Sequence, residues 1–188
     1  MRRLSRFILN LFGWKVSITV PDFEKCIICV APHTSNWDFV LGKLAYSSVG
    51  RKAGFLMKSS WFFFPLGLLF RAIGGIPVNR GKTRGNLVNT LVRQFNASSR
   101  LVIAITPEGT RSRTTEWHTG FLRIAREADI PLVLGAIDYK KKLISIDKVF
   151  RPYGSIESEL RRIKDFYSQF TPLYPEKFST DESSHSAP

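Results

Sequence analysis

A histidine and an aspartate separated by four residues form the first pair in this sequence that could do acid–base chemistry. His33 and Asp38 lie in a polar segment that follows the apolar run 27–31. Polar catalytic residues of α/β domains tend to lie just past the carboxyl ends of strands. Asp38 could accept a hydrogen bond from one imidazole nitrogen and leave the other free to take a proton from a substrate hydroxyl. A structural capping interaction explains the same pair, so the pattern alone leaves both interpretations open.

Two further segments could bind an anion. The polar loop 106–112 follows an apolar run of strand length and contains a glycine and Arg111, and the short strand in 74–80 ends in Arg80. A glycine lets the backbone approach a ligand closely, and a guanidinium can bind a phosphate through two hydrogen bonds. Two arginines at strand ends indicate a phosphate clamp on the same side of the sheet as His33.

Apolar segments of strand length alternate with segments of helical periodicity around these loops. The strands are predicted at 16–20, 26–31, 54–58, 76–79, 101–105, 132–137 and 143–146, and the helices at a segment ending near 48, at 84–98, 118–128 and 156–170. This alternation predicts a single α/β domain over residues 15–170, with a mixed, largely parallel sheet flanked by helices. Residues 171–188 are rich in Ser, Pro and acidic side chains, so we expect a disordered tail.

Residues 1–14 are predicted to form an amphipathic helix. Its apolar side chains recur at the spacing of one helical stripe, and they are Leu4, Phe7, Ile8, Leu11 and Phe12. Arg2, Arg3 and Arg6 fall elsewhere on the helix. Such a helix either packs on its own domain or lies in the interface of a membrane, and the arginines and phenylalanines favour the second interpretation.

The composition restricts the partners. The chain has 188 residues, a formal charge of +13 and a pI near 10.1, so its surface attracts anions. Anionic lipid headgroups and acidic carrier proteins fit this charge, whereas no nucleic-acid-binding motif is recognisable and we expect no nucleic-acid partner. The apolar run 61–70 is too short to span a bilayer, which takes about 20 residues, so we expect a monotopic or peripheral protein. Cys26 and Cys29 stand three apart in a predicted strand and should point to opposite faces.

Taken together, the motifs resemble those of the glycerophospholipid acyltransferase family, whose members include 1-acylglycerol-3-phosphate acyltransferase. That family has four ordered blocks, which match 33–38, 75–80, 107–112 and 130–133. The third block, Pro-Glu-Gly-Thr-Arg-Ser, is present whole. The chain departs from the family at Asn79, where an Asp is usual, and at 118–119, where many members have a Lys.

The resemblance implies that His33 deprotonates an acceptor hydroxyl while Asp38 orients the imidazole, and that the alkoxide attacks an acyl thioester directly. The residues implied to bind the acceptor's glycerol and phosphate are Arg80, Glu108, Gly109, Thr110 and Arg111. No metal and no cofactor is implied. The implied acyl donor is acyl-CoA or acyl carrier protein. The implied acceptor is a lysophospholipid such as 1-acylglycerol-3-phosphate, at the cytoplasmic face of a membrane.

Other functions remain open at this point. The acceptor could be the lyso form of an aminolipid, such as an ornithine or glycine lipid. A thioesterase or other hydrolase would need a nucleophile, but no Gly-x-Ser-x-Gly motif occurs and Ser35 lies too close to His33 in sequence for a triad. A relative that binds lipid without catalysis is the remaining alternative.

Overall fold

The structure is a computed structural model and describes residues 2–78 and 84–181. The helices are α1 (Arg2–Leu11), α2 (Asn36–Ser48), α3 (Leu66–Ala72), α4 (Arg84–Ala97), α5 (Gly120–Glu127) and α6 (Ile156–Tyr167). The strands are β1 (Lys15–Ile18), β2 (Lys25–Val30), β3 (Gly54–Lys58), β4 (Gly75–Val78), β5 (Leu101–Ile105), β6 (Leu132–Asp138) and β7 (Leu143–Phe150). Short 3-10 turns cover Ser59–Trp61 and Pro175–Lys177.

The seven strands form one sheet in the order β1-β7-β6-β2-β5-β3-β4. All neighbouring pairs run parallel except the β6–β7 hairpin. The central strands β2 and β6 are almost continuously buried, because helices cover both of their faces, and their sequences are correspondingly apolar. The predicted single α/β domain with a mixed, largely parallel sheet is confirmed.

Helices cover the two faces of the sheet in two groups. Along β2, Ile28 belongs to an apolar cluster with Tyr46 of α2. Its neighbour Ile27 belongs to the opposite cluster, with Phe95 of α4 and Leu122 of α5. In a right-handed crossover, the direction in which the chain crosses the sheet decides which face its helix covers. The chain crosses in one direction from β2 to β4 and in the other from β4 to β6, so the helices divide between the two faces.

We call the face covered by α1, α2 and α3 the front face, and the face covered by α4, α5 and α6 the back face. On the front, Leu9 of α1 packs with Leu41 of α2, and Lys43 Nζ of α2 donates to the Ile73 carbonyl, just past α3, at 2.8 Å. On the back, Ile163 and Tyr167 of α6 join the main core.

The N-terminal helix packs on the domain by a different side from the predicted stripe. Ser5 and Leu9 are buried against α2, whereas the stripe residues Leu4, Phe7 and Leu11 are exposed. Phe7, for example, is 62% exposed. The helix therefore contacts its own domain while presenting its apolar stripe outward. No helix among residues 2–78 and 84–181 is long and apolar enough to cross a membrane.

The segment 171–181 differs from the disorder predicted for the tail. The Tyr139 N–H donates to the Thr171 carbonyl at 2.8 Å, and the Lys164 ammonium donates to the Asp181 carbonyl at 2.7 Å. The Phe178 ring packs near Trp117 in the core. The prediction is therefore wrong for residues 171–181, because the few apolar side chains of this segment dock on the domain. The remaining part of the predicted tail, 182–188, lies outside the described residues.

Candidate active site

The polar loop after β2 turns directly into α2. Ser35 is the N-cap of the helix, and its hydroxyl accepts from the Trp37 N–H at 3.1 Å. Asp38 completes a capping box by accepting from the Ser35 N–H at 2.8 Å. The sequence therefore fixes Asp38 in the first turn of α2, at the carboxyl end of a central strand.

The same carboxylate faces the histidine. His33 Nδ1 lies 3.3 Å from Asp38 Oδ2, so the carboxylate that caps α2 also contacts the imidazole. Because Nδ1 faces the carboxylate, Nε2 is the nitrogen left to meet a substrate. The His33 side chain is 18% exposed and that of Asp38 is 2% exposed. A substrate can therefore reach the imidazole, whereas the carboxylate is enclosed by the protein.

Hydrogen bonds keep Asp38 ionised despite its burial. Burial raises its pKa, but hydrogen bonds from His33 and Tyr139, and from two backbone N–H groups, outweigh that effect and hold the pKa of Asp38 below its usual value. An ionised, enclosed carboxylate stabilises an imidazolium on His33. The pair can therefore act as a general base.

Glu108 lies beneath the loop that carries the histidine. Its carboxyl Oε1 accepts from the His33 N–H at 2.8 Å, and the residue is 3% exposed. Burial raises the pKa of Glu108 to about 8, with a further increase from the charge of Asp38, while the His33 N–H opposes the change. The resemblance implies acceptor binding for Glu108, which stays a prediction, and the structure shows in addition a contact that holds the His33 backbone.

The rest of the loop 106–112 lies beside the start of α2. The Arg111 guanidinium donates to the side-chain oxygen of Asn36. This cation therefore lies beside the first residue of α2, which is three residues after His33. Gly109 has a φ of +65°, and a Cβ there would come within 2.5 Å of the His118 ring, so only glycine fits. Thr110 is exposed, and its hydroxyl accepts from the Ser112 N–H.

The site lies in a part of the chain that matches a known protein family. The model of the Acyltransferase family matches residues 16–137, which include the dyad and the loop 106–112. The chain belongs to the Acyltransferase family. Its fold is similar to that of the 1-acyl-sn-glycerophosphate acyltransferase PlsC from Thermotoga maritima, with a TM-score of 0.60 and 15% identity over 89% of this chain and 75% of that chain. No curated protein sequence matches the chain.

Arg80 lies outside the described residues of this acyltransferase. The strand that leads to it, β4, is the last of the sheet and runs parallel to β3 and β5. The carboxyl ends of β2, β5 and β4 therefore lie at one edge of the sheet. The phosphate clamp that pairs Arg80 with Arg111 stays a prediction.

Tyr139 belongs to the site and was missed in the sequence. It follows β6, and its hydroxyl donates to Asp38 Oδ1 at 2.6 Å. Burial raises the pKa of Tyr139, and the bond to Asp38 raises it further. A tyrosine after a strand carries no motif of its own, and the contact joins positions 101 residues apart.

The two cysteines lie on β2, the strand that leads to this acyltransferase site. Cys26 belongs to the front cluster and Cys29 to the back cluster, which confirms that they point to opposite faces. Both are free thiols, and burial raises the pKa of each to about 12. Across 2–78 and 84–181, no group of three or more His, Cys, Asp or Glu side chains could hold a metal ion.

Proposed function

We propose that this acyltransferase moves a fatty acyl group from an acyl thioester to the hydroxyl of a lysophospholipid such as 1-acylglycerol-3-phosphate, in phospholipid biosynthesis. The observation that carries the proposal is the His33–Asp38 dyad with Arg111 beside it. The dyad supplies a base for a hydroxyl, and the guanidinium supplies a partner for a phosphate on the same molecule. The family match and the PlsC-like fold support the reaction class.

The proposed reaction uses the two ends of the imidazole. His33 Nε2 takes the proton of the acceptor hydroxyl, while Asp38 stabilises the imidazolium through Nδ1. The alkoxide attacks the thioester carbonyl, so a C–O bond forms as the C–S bond breaks. The imidazolium then returns its proton to the leaving thiolate. No acyl-enzyme is formed, because the acceptor hydroxyl takes the place of a serine nucleophile.

The proposed acyl donor is acyl-CoA or acyl carrier protein, and neither needs an additional cofactor. Both donors are acidic, and the chain carries a formal charge of +13. Opposite charge raises the encounter rate between such partners, most strongly at low ionic strength.

The proposed location is the cytoplasmic face of a membrane, with the front face of the domain towards anionic lipid. Among the described residues, all but three of the exposed large apolar side chains lie on α1 or the residue after it, at the start of α2 or in the segment 61–73. The three exceptions are Val149, Tyr153 and Tyr174. Exposed apolar side chains concentrated on the front helices and the segment before α3 indicate an interface. The arginines of α1 favour an anionic lipid surface as its partner.

The activity is tested by incubating the purified protein and anionic vesicles with acyl-CoA or acyl carrier protein and a panel of lyso-lipids, with products identified by mass. We expect acylated phospholipid, and His33→Ala should lower the rate by about 10²–10⁴ because the base is lost. The melting curve of the variant should match that of the wild type. A variant that retains more than about a tenth of the rate would contradict the mechanism, and product only from lyso-aminolipids or water would favour the aminolipid or hydrolase alternative.

Arg111 tests the identity of the acceptor. Arg111→Ala should raise the KM for a phosphate-bearing acceptor by about 10- to 100-fold, since a charge-assisted hydrogen bond contributes roughly 1.5–3 kcal/mol. The KM for a phosphate-free acceptor should change little. Arg123→Ala, on α5 of the back face, is the matched control and should leave both values unchanged. Equal losses on both acceptors in Arg111→Ala would exclude a phosphate contact at this residue.

A further inference from the structure

The two carboxylate oxygens of Asp38 have different partners. Oδ2 accepts from the backbone N–H groups of Thr34 and Ser35, both at 2.8 Å, and faces His33 Nδ1 at the longer distance of 3.3 Å. Oδ1 accepts from the Tyr139 hydroxyl at 2.6 Å. The shortest hydrogen bond to this carboxylate therefore comes from a residue outside the loop and helix that carry the dyad.

Tyr139 is itself fixed from two sides. Its ring meets Trp14 edge to face, with centroids 5.1 Å apart, and Trp14 is buried just after α1. Its backbone N–H donates to the Thr171 carbonyl at 2.8 Å. The hydroxyl position is thus set by β6, by the N-terminal segment and by the C-terminal segment together. A donor held this firmly restricts rotation of the carboxylate that it contacts.

The hydrogen bond from Tyr139 to Asp38 affects the base in two ways. Restricting the carboxylate plane keeps Oδ2 directed at His33 Nδ1, which matters because that contact is long. A donor at Oδ1 also draws negative charge from the carboxylate, so that the carboxylate does not hold the imidazolium proton too tightly. Both effects favour a histidine that takes a proton and gives it back.

We propose that Tyr139 is a positioning residue for acyl transfer, acting through Asp38 on His33. The inference rests on the proposed function for the reaction that it assists. The Tyr139–Asp38–His33 arrangement is a property of the fold, however, and can be measured without turnover.

The titratable and charged groups around the dyad come from several elements. Glu108 approaches from the loop after β5, Tyr139 from the end of β6, Tyr174 from the C-terminal segment and Arg111 from the loop against α2. Tyr139→Phe removes one hydroxyl and leaves these other groups unchanged.

The first test compares Tyr139→Phe with the wild type over a range of pH, in the full chain with vesicles. We expect kcat to fall about tenfold with the acceptor KM unchanged, because a hydrogen bond to a charged group is lost without a change in binding. The acidic limb of the pH–rate profile should move to higher pH, since the carboxylate then holds the imidazolium proton more tightly. A purely structural role would lower the melting temperature and leave that limb in place.

Tyr174→Phe is the matched control. Tyr174 contacts Thr34 through its backbone N–H, at 3.3 Å to the threonine hydroxyl, and a phenylalanine keeps that bond. We expect wild-type kcat and an unshifted profile. A profile that shifts equally in both variants would overturn the role assigned to the Tyr139 hydroxyl.

The deciding test is a double-mutant cycle with Asp38→Asn. If Tyr139 acts through Asp38, Tyr139→Phe should cost less than about twofold in rate when Asp38 is already replaced. Losses that multiply would show that Tyr139 acts independently of Asp38 and would overturn the inference. Full activity of Tyr139→Phe alone would overturn it as well, and would leave the proposed function intact.

A turnover-independent measurement separates this inference from the proposed function. Histidine C–H resonances followed by NMR report the pH at which His33 loses its proton, with His33→Ala used to assign the signal. Tyr139→Phe should raise that pH even if the wild type transfers no acyl group to any acceptor tried. An identical titration curve in wild type and Tyr139→Phe would overturn the inference whatever the reaction is.

Discussion

The helices on the two faces of the sheet differ in where their apolar side chains lie. On the back face, the large apolar side chains of α4 and α6 pack toward the core, and Phe95 and Tyr167 are fully buried. On the front face, the side chains beneath the helices are equally buried, but the outer surface carries Phe7, Phe64 and Leu68, each more than 60% exposed. The back helices cover the core, whereas the front helices cover the core and present a second apolar surface.

The comparison shows why hydrophobic content alone does not indicate what a segment contacts. Scattered exposed apolar side chains are normal on proteins, whereas a contiguous set marks a surface that meets another apolar phase. The start of α2, where Asp38 is fixed, carries the exposed Trp37. In the proposed function, the dyad therefore lies close to the lipid that holds its acceptor.

The largest expected effect is on the back face. Phe95→Ala should lower the free energy of unfolding by about 3–5 kcal/mol, because a fully buried ring is replaced by a cavity. Phe64→Ala on the front should change it by less than about 0.5 kcal/mol, because Phe64 is 83% exposed and its ring leaves no cavity. Urea unfolding followed by circular dichroism measures both. Equal destabilisation by the two variants would contradict the distinction between the faces.

Two loops of the site could be placed from the sequence, one because its residues are local and the other because of the strand that precedes it. His33 and Asp38 lie on one loop and one helical turn, so their spacing already places them together. The loop 106–112 follows a strand parallel to β2, and the carboxyl ends of neighbouring parallel strands coincide. The sheet itself followed from the alternation of apolar runs and helical periods.

What could not be predicted depends on contacts between distant segments. Tyr139 meets Asp38 across 101 residues, and no periodicity reports such a pair. The helix α1 was predicted, but the side by which it packs depends on Ser5 and Leu9, which contact α2. The segment 171–181 was expected to be disordered because its overall composition is polar. Composition does not show that the ring of Phe178 packs against Trp117.

The last prediction concerns the exposed stripe of α1. Replacing Phe7 and Phe12 together by Ser should weaken binding to anionic vesicles by about 10- to 100-fold, because each ring contributes part of the roughly 1.5–3 kcal/mol of full burial. The arginines of α1 should retain some salt-sensitive binding, at about 1 kcal/mol each near an anionic surface. Vesicle sedimentation at low and high salt measures the change.

Stability should hardly change in that variant, because the bonds that hold α1 to the domain remain. The Ser5 hydroxyl contacts that of Ser47 at 3.2 Å, and the Arg2 and Arg6 guanidinium groups donate to the Ser48 carbonyl at 3.3 Å. Leu9→Ser is the opposing variant and should lower the melting temperature, since Leu9 is 2% exposed. The double variant would contradict the lipid-facing assignment of α1 if it still sedimented fully with vesicles. In that case the exposed side chains of 61–70 would be the better candidates for the contact with lipid, because α1 would then only complete the core through Leu9.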